Sequence, residues 1–486
     1  MKKIILGILA ILILFISFIV IKAATFSSKQ LKVEPVAGAS LYQPKAIQNL
    51  SSVLQLKTVS NQDPAKNDTQ QFKLLHKLLE KSFPGVHANL VKEVVNEFSL
   101  LYTWKGTDPG LKPIILLAHM DVVPITEGTN QDWTHPPFSG RIADEFVWGR
   151  GAMDYKVGVT GMLEAVEGLL ENGFRPKRTV YLAFGHDEEV GGTEGAREIA
   201  KLLKTRGIKA EWVLDEGGPV ISAIMPGISG AVALPGIAEK GYMTLELTVK
   251  AEGGHSSMPP AETAIGVLAS AIHNLERNRF PVKYEGVVVD MFEYAAPEMP
   301  FGMKLLFANK WLLKKVITGQ LKKVPSMNAM LRTTIAPTII KAGTKENVLP
   351  QQARAMVNFR LYPGNSPEYV IQHVTRAIND PRVKISQSKH AATGASAVTD
   401  ISGKSFANLQ KTIHQIFPDV VVAPFLMVAG TDTKHYAEIS DNIFRFLPLS
   451  IGKEDLKRIH GTNERVGVKN YIRAIQFYSQ IIRNSN

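Results

Sequence analysis

The sequence predicts an α/β protein in which a larger domain with a parallel-rich sheet is interrupted by a smaller α+β domain. Three observations carry the prediction. Strand-like apolar runs at 113–118, 180–184 and 212–214 alternate with helix-like segments such as 158–172, an order that yields parallel strands joined by crossover helices. Each run ends in acids or histidines, so these groups sit at strand C-terminal ends, where open α/β sheets bind ligands. Near Ala238 the pattern changes to strict alternation, Met243-Thr244-Leu245-Glu246-Leu247-Thr248-Val249, the mark of a half-buried strand in a different sheet.

From the N-terminus, residues 4–21 are apolar apart from Gly7 and Ser17, with Lys2-Lys3 before them and Lys22 after. They give about 27 Å of helix at 1.5 Å per residue, enough to cross a bilayer. Ile21-Lys22-Ala23-Ala24 makes a poor cleavage site, so the stretch reads as an uncleaved signal anchor; cleavage would instead release a secreted body. With Lys2 and Lys3 inside, the body of the protein is expected outside the cytoplasm, periplasmic or extracellular. A polar juncture at 24–35 follows. Residues 44–83 read as helical, interrupted by Asn61-Gln62-Asp63-Pro64.

Beyond the first strands, the alternating stretch at 243–249, a helix-like 261–277 and a strand-like 354–361 make up the insert. The chain returns to the larger domain where Gly, Ser and Thr cluster at 396–402. The expected organisation is therefore an anchor or signal peptide at 1–24, a first part of the larger domain at 36–237, an insert at 238–395 and a second part of the larger domain at 396–486. A chain of 486 residues exceeds what one core organises, which agrees with two domains.

Composition excludes several classes. Hydrophobic residues at 45% and charged ones at 21% describe a folded chain, and the absence of cysteine removes disulfides, thiolate metal sites and cysteine nucleophiles. The net charge of +12 is uneven, since residues 299–345 contain no Asp or Glu. Within them 301–323 reads as a helix with Leu305, Leu312, Leu313 and Val316 on one side and Lys304, Lys314, Lys315 and Lys322 on another. Such a face suits either solvent or an anionic membrane surface. No nucleic-acid-binding module accompanies the charge, so nucleic acid is not an expected partner.

Chemistry concentrates in five short motifs. They are Leu117-Ala118-His119-Met120-Asp121, Trp148-Gly149-Arg150-Gly151-Ala152-Met153-Asp154, His186-Asp187-Glu188-Glu189, Leu214-Asp215-Glu216-Gly217-Gly218 and Arg458-Ile459-His460-Gly461-Thr462-Asn463-Glu464. Carboxylates and imidazoles without thiolate suit zinc in a hydrolytic site, and a bridging carboxylate suits two ions about 3.5–4 Å apart. Asp121 points to the same side of an extended segment as His119, where its carboxylate can hold the far ring nitrogen. Of the neighbours Glu188 and Glu189, one can bind metal while the other stays free to move protons.

In this order the motifs closely resemble the M20 family of metallopeptidases, in particular its carboxypeptidase S-like branch, which includes secreted N-acyl-amino-acid hydrolases. The resemblance runs from about residue 41 to the C-terminus. It implies a zinc-peptidase-like catalytic domain interrupted by a lid or dimerisation domain, two Zn2+ ions replaceable by Co2+ or Mn2+, and a small-molecule or short-peptide substrate with a free carboxylate. It further implies His119, Asp154, Glu189, Asp215 and His460 as metal ligands, with Asp154 bridging and with Glu216 the alternative to Asp215. Asp121 becomes the orienting partner of His119, Glu188 the general base and acid, and His255 of Gly253-Gly254-His255-Ser256-Ser257 an oxyanion donor that reaches another subunit's site in dimers or acts within one chain in monomers. Asn347 and Arg360 match substrate positions, and His435 lies near the substrate or is structural. Tyr155 departs from the pattern, which often has an acid there.

Overall fold

The computed structural model describes residues 1–36, 43–222, 224–225, 227–388 and 392–486. Residue 41, where the resemblance begins, lies outside them. A ten-stranded sheet forms the larger core, and its path runs Val91–Val95, Ser99–Trp104, Val180–Gly185, Ile114–His119, Trp212–Ser222, Ile443–Ile451, Gly236–Glu239, Phe425–Met427. Ile114–His119 is central and parallel to both neighbours. Ile443–Ile451 is parallel to Trp212–Ser222, so the C-terminal part of the chain completes the sheet begun by the first part.

Burial follows from the period-2 geometry of a strand. Ile114, Leu116 and Ala118 enter one apolar cluster with Met162, Val166, Tyr471 and Ile475 from the helices Lys156–Glu171 and Val468–Asn484. Ile115 and Leu117 enter the opposite cluster with Ile199, Leu203 and Ile439. Both faces are covered, which is why the strands read as continuous apolar runs rather than alternating ones.

A second sheet of four antiparallel strands, Thr334–Ala342, Gln352–Leu361, Gly241–Lys250 and Val383–Gln387, packs its own core against the helices Ala264–Arg277 and Pro367–Ile378. Here one face alone is covered and the alternation survives: Met243, Leu245, Leu247 and Val249 are buried together.

The stretch 238–395 does not pack as one unit. Its helices Val287–Ala295, Phe301–Ala308, Lys310–Leu321 and Pro325–Met330 place Val288, Met291, Phe292, Phe307, Ile317 and Met330 in the larger core, away from the four-stranded sheet. The helix expected over 301–323 is divided at Asn309, which is fully buried and turns its Nδ2 to the carbonyls of Leu305 at 2.9 Å and Ile19 at 3.1 Å. The helical reading of 44–83 likewise resolves into Gln43–Leu54 and Thr69–Ser82, the second capped by the Asp68 side chain on the Gln70 N–H. At the N-terminus, Lys2–Ala24 is one helix, long and apolar enough to cross a membrane, and Ala23 is its one buried residue.

Candidate metal centre

Five chain segments converge beyond the C-terminal ends of the central strands. His119 closes its strand almost fully buried, with Nε2 3.1 Å from Asp154 Oδ1 and 3.4 Å from Glu216 Oε1. His460, half exposed, places its Nε2 2.9 Å from Asp154 Oδ2 and 3.1 Å from Glu189 Oε2. Asp154 thus stands between two imidazoles, one on each carboxylate oxygen. Two sets of donors, His119 with Asp154 and Glu189, and His119 with Glu188 and Glu216, have their ligand atoms within 4.8 Å of one another.

Asp121 does more than orient an imidazole. Its nearest contact to His119 Nδ1 is through its backbone carbonyl at 3.0 Å, with the carboxylate at 3.4 Å. The carboxylate also accepts the N–H groups of Glu188 and Glu189, each at 3.1 Å. One buried acid therefore fixes both His119 and the turn that presents the two glutamates.

The structure brings Glu216, rather than the expected Asp215, to His119. Successive side chains on a strand face opposite ways, so the two acids cannot share one target. Asp215 is the register partner of Arg445. Its Oδ1 accepts the Glu216 N–H at 2.8 Å, while its Oδ2 is buried without a partner among the described residues. Burial pushes the Asp215 carboxyl up to about 6.

The electrostatics are those of crowded buried anions. Burial drives Glu188 well above the usual carboxylate range, helped by Asp432, Glu216 and Glu189 and opposed by His119. Glu216 rises for the same reason, with Asp154 the largest neighbouring charge. Burial works against the charged form of His119, yet Glu216, Asp121 and Asp154 outweigh it and hold the imidazole well above its ordinary value. Hydrogen bonds to Asp154 and Glu189 bring His460 up to about 10. So many negative groups in one place call for positive charge.

A cavity of about 940 Å³ opens beside this cluster, lined by Glu188, Glu189, Lys240, Tyr242, Arg360, Lys434 and His435 among others. Arg360 stacks over the Tyr242 ring at 5.0 Å. Lys240, which nothing in its sequence context marks, donates to the carbonyls of Ala329 and Arg332, and burial brings its ammonium down to about 7. His435 is held at about 4 by burial, hence neutral near pH 7, with Nε2 donating to the Gly191 carbonyl at 3.1 Å. A smaller cavity of about 400 Å³ shares Gln62, Glu189 and Val190 with the first. That one shares Pro124 with a third of about 740 Å³, lined by Val59, Ile125, Trp133, Pro137 and Phe138. The row begins at cations and ends at apolar rings.

His255 and Asn347 stand together elsewhere. Gly254–His255 pairs with Val348–Leu349 in a two-stranded ribbon, and the Asn347 carbonyl accepts the Ser256 N–H at 3.1 Å. His255 is exposed; its Nδ1 accepts the Ser257 N–H, which leaves the ring proton on Nε2. Among the described residues no hydrogen bond or ion pair links His255 to the cluster.

A family model described as peptidase family M20/M25/M40 matches residues 115–484. The chain belongs to this family. This M20 enzyme is 44% identical, over 98% of its own length and 93% of the other's, to a probable carboxypeptidase S-like protein 2 of Dictyostelium discoideum. It is 40% identical, over 90% of its length and 86% of the other's, to the N-fatty-acyl-amino acid synthase/hydrolase PM20D1 of Xenopus tropicalis. Among solved structures, an M20 family metallo-carboxypeptidase from Sulfolobus solfataricus superposes with a TM-score of 0.64 at 18% identity, covering 90% of this chain and 99% of that one.

One M20 family peptidase of known structure, from Bacillus subtilis, is described as binding a dinuclear metal centre; it superposes with a TM-score of 0.55 at 14% identity over 90% of this chain and 97% of that one. The residues of this M20 enzyme fit such a centre: the donors are hard oxygen and imidazole nitrogen, and Glu189 Oε1 is buried without a hydrogen-bond partner among the described residues. Sequence reading overlooked what shapes the Asp154 loop. Glu464, fully buried, accepts from Arg150 Nη1 at 2.6 Å and from the backbone N–H groups of Gly151, Met153 and Asp154 at 3.0, 2.8 and 3.2 Å. Arg150 Nη2 in turn donates to the His460 carbonyl at 3.1 Å. The available signal was an acid four residues after His460, inside a motif already noticed. Asp432 was also missed. A Cβ on Gly192 would lie 2.0 Å from its Oδ1, and Gly192 has φ +67°, so this approach to the glutamate turn requires glycine.

Proposed function

We propose that this M20 enzyme hydrolyses an amide bond next to a free carboxylate, either in N-acyl amino acids with an apolar acyl group or at the C-terminal end of short peptides. The observation that carries the reading is one cavity lined by both Glu188 and the cations Arg360 and Lys434. Arg360 clamps the substrate carboxylate through two parallel N–H···O bonds. The acyl side then runs toward Pro124, Trp133 and Phe138.

Glu188 takes a proton from the attacking water as the new C–O bond forms, and passes it to the nitrogen as the C–N bond breaks. Asp121 keeps Glu188 in place through its backbone N–H. Two zinc ions, held by His119, Asp154, Glu189, His460 and Glu216, would polarise the carbonyl and acidify water, and Co2+ or Mn2+ suit the same donors. His255 offers Nε2–H to the oxyanion once a second copy or a closing movement of the four-stranded domain brings it near, the reading that makes a homodimer relevant.

Metal analysis separates the adjacent acids. Glu216→Gln lowers bound zinc by one ion per chain, whereas Asp215→Asn keeps it; the opposite pattern assigns the ligand to Asp215.

A matched panel tests substrate class: long-chain N-acyl amino acids, N-acetyl amino acids, and dipeptides with free or blocked C-termini. Preference for a long acyl chain with a free carboxylate identifies an N-acyl-amino-acid hydrolase, the activity in the name of the Xenopus relative. Preference for unblocked peptides identifies a carboxypeptidase or dipeptidase, and preference for N-acetyl compounds a deacetylase. No turnover with metals bound leaves a membrane-tethered binding protein. On the first outcome, Phe138→Asp raises KM for long-chain substrates about tenfold, roughly the 1.4 kcal/mol of partial burial of one aromatic ring, and spares N-acetyl substrates. Arg360→Ala weakens both alike.

Lys2–Ala24 acts in this reading as a signal anchor with the body outside the cytoplasm. The N-terminal mass of the mature protein distinguishes anchor from cleaved signal.

A further inference from the structure

The helix Lys2–Ala24 does not leave the body on a free tether. The segment after it is pinned: Lys29 pairs with Glu293 at 2.6 Å, and Gln30 exchanges hydrogen bonds with the backbone of Val422 and donates to the Tyr294 carbonyl. Contacts continue into the apolar stretch itself. Asn309 Nδ2 reaches the Ile19 carbonyl, Phe15 and Phe18 meet Trp311 edge-on at 6.3 and 6.4 Å, and Lys22 Nζ lies 5.7 Å from the Trp311 ring centroid.

These contacts fix depth. Phe15 lies about 10 Å below Lys22 along the helix at 1.5 Å per residue, and an interfacial helix sinks its apolar face about 5–10 Å into a bilayer. If Lys22 sits at the lipid headgroups, Trp311 is carried into the acyl boundary. Its surroundings suit that place. Phe301, Leu312, Val316 and Val324 are 52%, 44%, 50% and 43% exposed. Lys314, Lys315, Lys322 and Lys323 are exposed on the same helices or just after them and form no ion pair among the described residues. Residues 299–345 contain no acid to repel anionic lipid.

We infer that the helix pair Phe301–Ala308 and Lys310–Leu321 is a second membrane-contact element, seated in the outer face of the anionic bilayer that Lys2–Ala24 crosses, so that the catalytic body lies on the membrane in a fixed orientation. The aromatic and aliphatic side chains enter the acyl boundary while the lysines stay at the headgroups. The inference rests on the anchor reading of Lys2–Ala24, and the test keeps the two apart.

Of the five tryptophans, Trp104, Trp133, Trp148 and Trp212 are at most 7% exposed and Trp311 is 53% exposed, so lipid-borne quenchers report mainly on Trp311. The full chain is reconstituted into vesicles of phosphatidylcholine and phosphatidylglycerol containing brominated lipid. Flotation with the vesicles reads the anchor, and tryptophan quenching reads the docked surface. The expected result is co-flotation with quenching that Trp311→Phe removes and that replacing Lys314, Lys315, Lys322 and Lys323 by Glu reduces at least twofold, with hydrolysis of a short soluble substrate unchanged. Co-flotation without Trp311-dependent quenching, or quenching indifferent to the four lysines, overturns the inference and leaves the anchor standing. Failure to float overturns both.

Discussion

Glu188→Gln retains the wild-type metal content and loses turnover by about 10²–10⁴, the range that positioned proton transfer contributes. The amide keeps the volume of the carboxylate and leaves the backbone N–H bond to Asp121 intact, so the turn should not move. What disappears is a group that can accept a proton from water and return it to nitrogen. Metal analysis beside kcat makes the result decisive, because Glu188 also stands in a donor set with His119 and Glu216. Full metal with wild-type turnover removes Glu188 as the base, and the loss of one ion makes it a ligand instead.

The second large effect is expected at a residue that touches no substrate. Glu464→Ala leaves the buried Arg150 guanidinium without its anion and three backbone N–H groups of the Asp154 loop without an acceptor. Breaking a buried pair in this way costs about 3–5 kcal/mol. The variant should unfold at lower denaturant and surrender bound metal to a chelator at lower concentration, since Asp154 depends on that loop. A variant with unchanged midpoint and chelator resistance would make Glu464 a bystander.

Much of the site was legible because apolar strands end where ligands begin. His119 follows four buried aliphatic residues and alanine, and Glu188-Glu189 follows a run buried throughout. The choice between Asp215 and Glu216 was not legible, since a shift of one residue in register reverses which acid faces His119. Glu464 escaped notice because it works through backbone donors, which carry no letter in a sequence. The apolar residues of 287–330 announced burial but not their destination; nothing local tells Phe292 to join the larger core instead of the adjacent sheet. The break at Asn309 was hidden for a similar reason, as the carbonyl it binds belongs to Ile19, 290 positions earlier.

The bond between the Asp154 N–H and Glu464 spans 310 positions, and His460 lies four residues before its acceptor. A ribosome must therefore deliver nearly the whole polypeptide before the ligand shell closes, and a nascent chain that has exposed His119, Asp154 and the glutamate pair still lacks the loop clamp and the last imidazole. The cluster is therefore assembled by the complete chain and not by its first half.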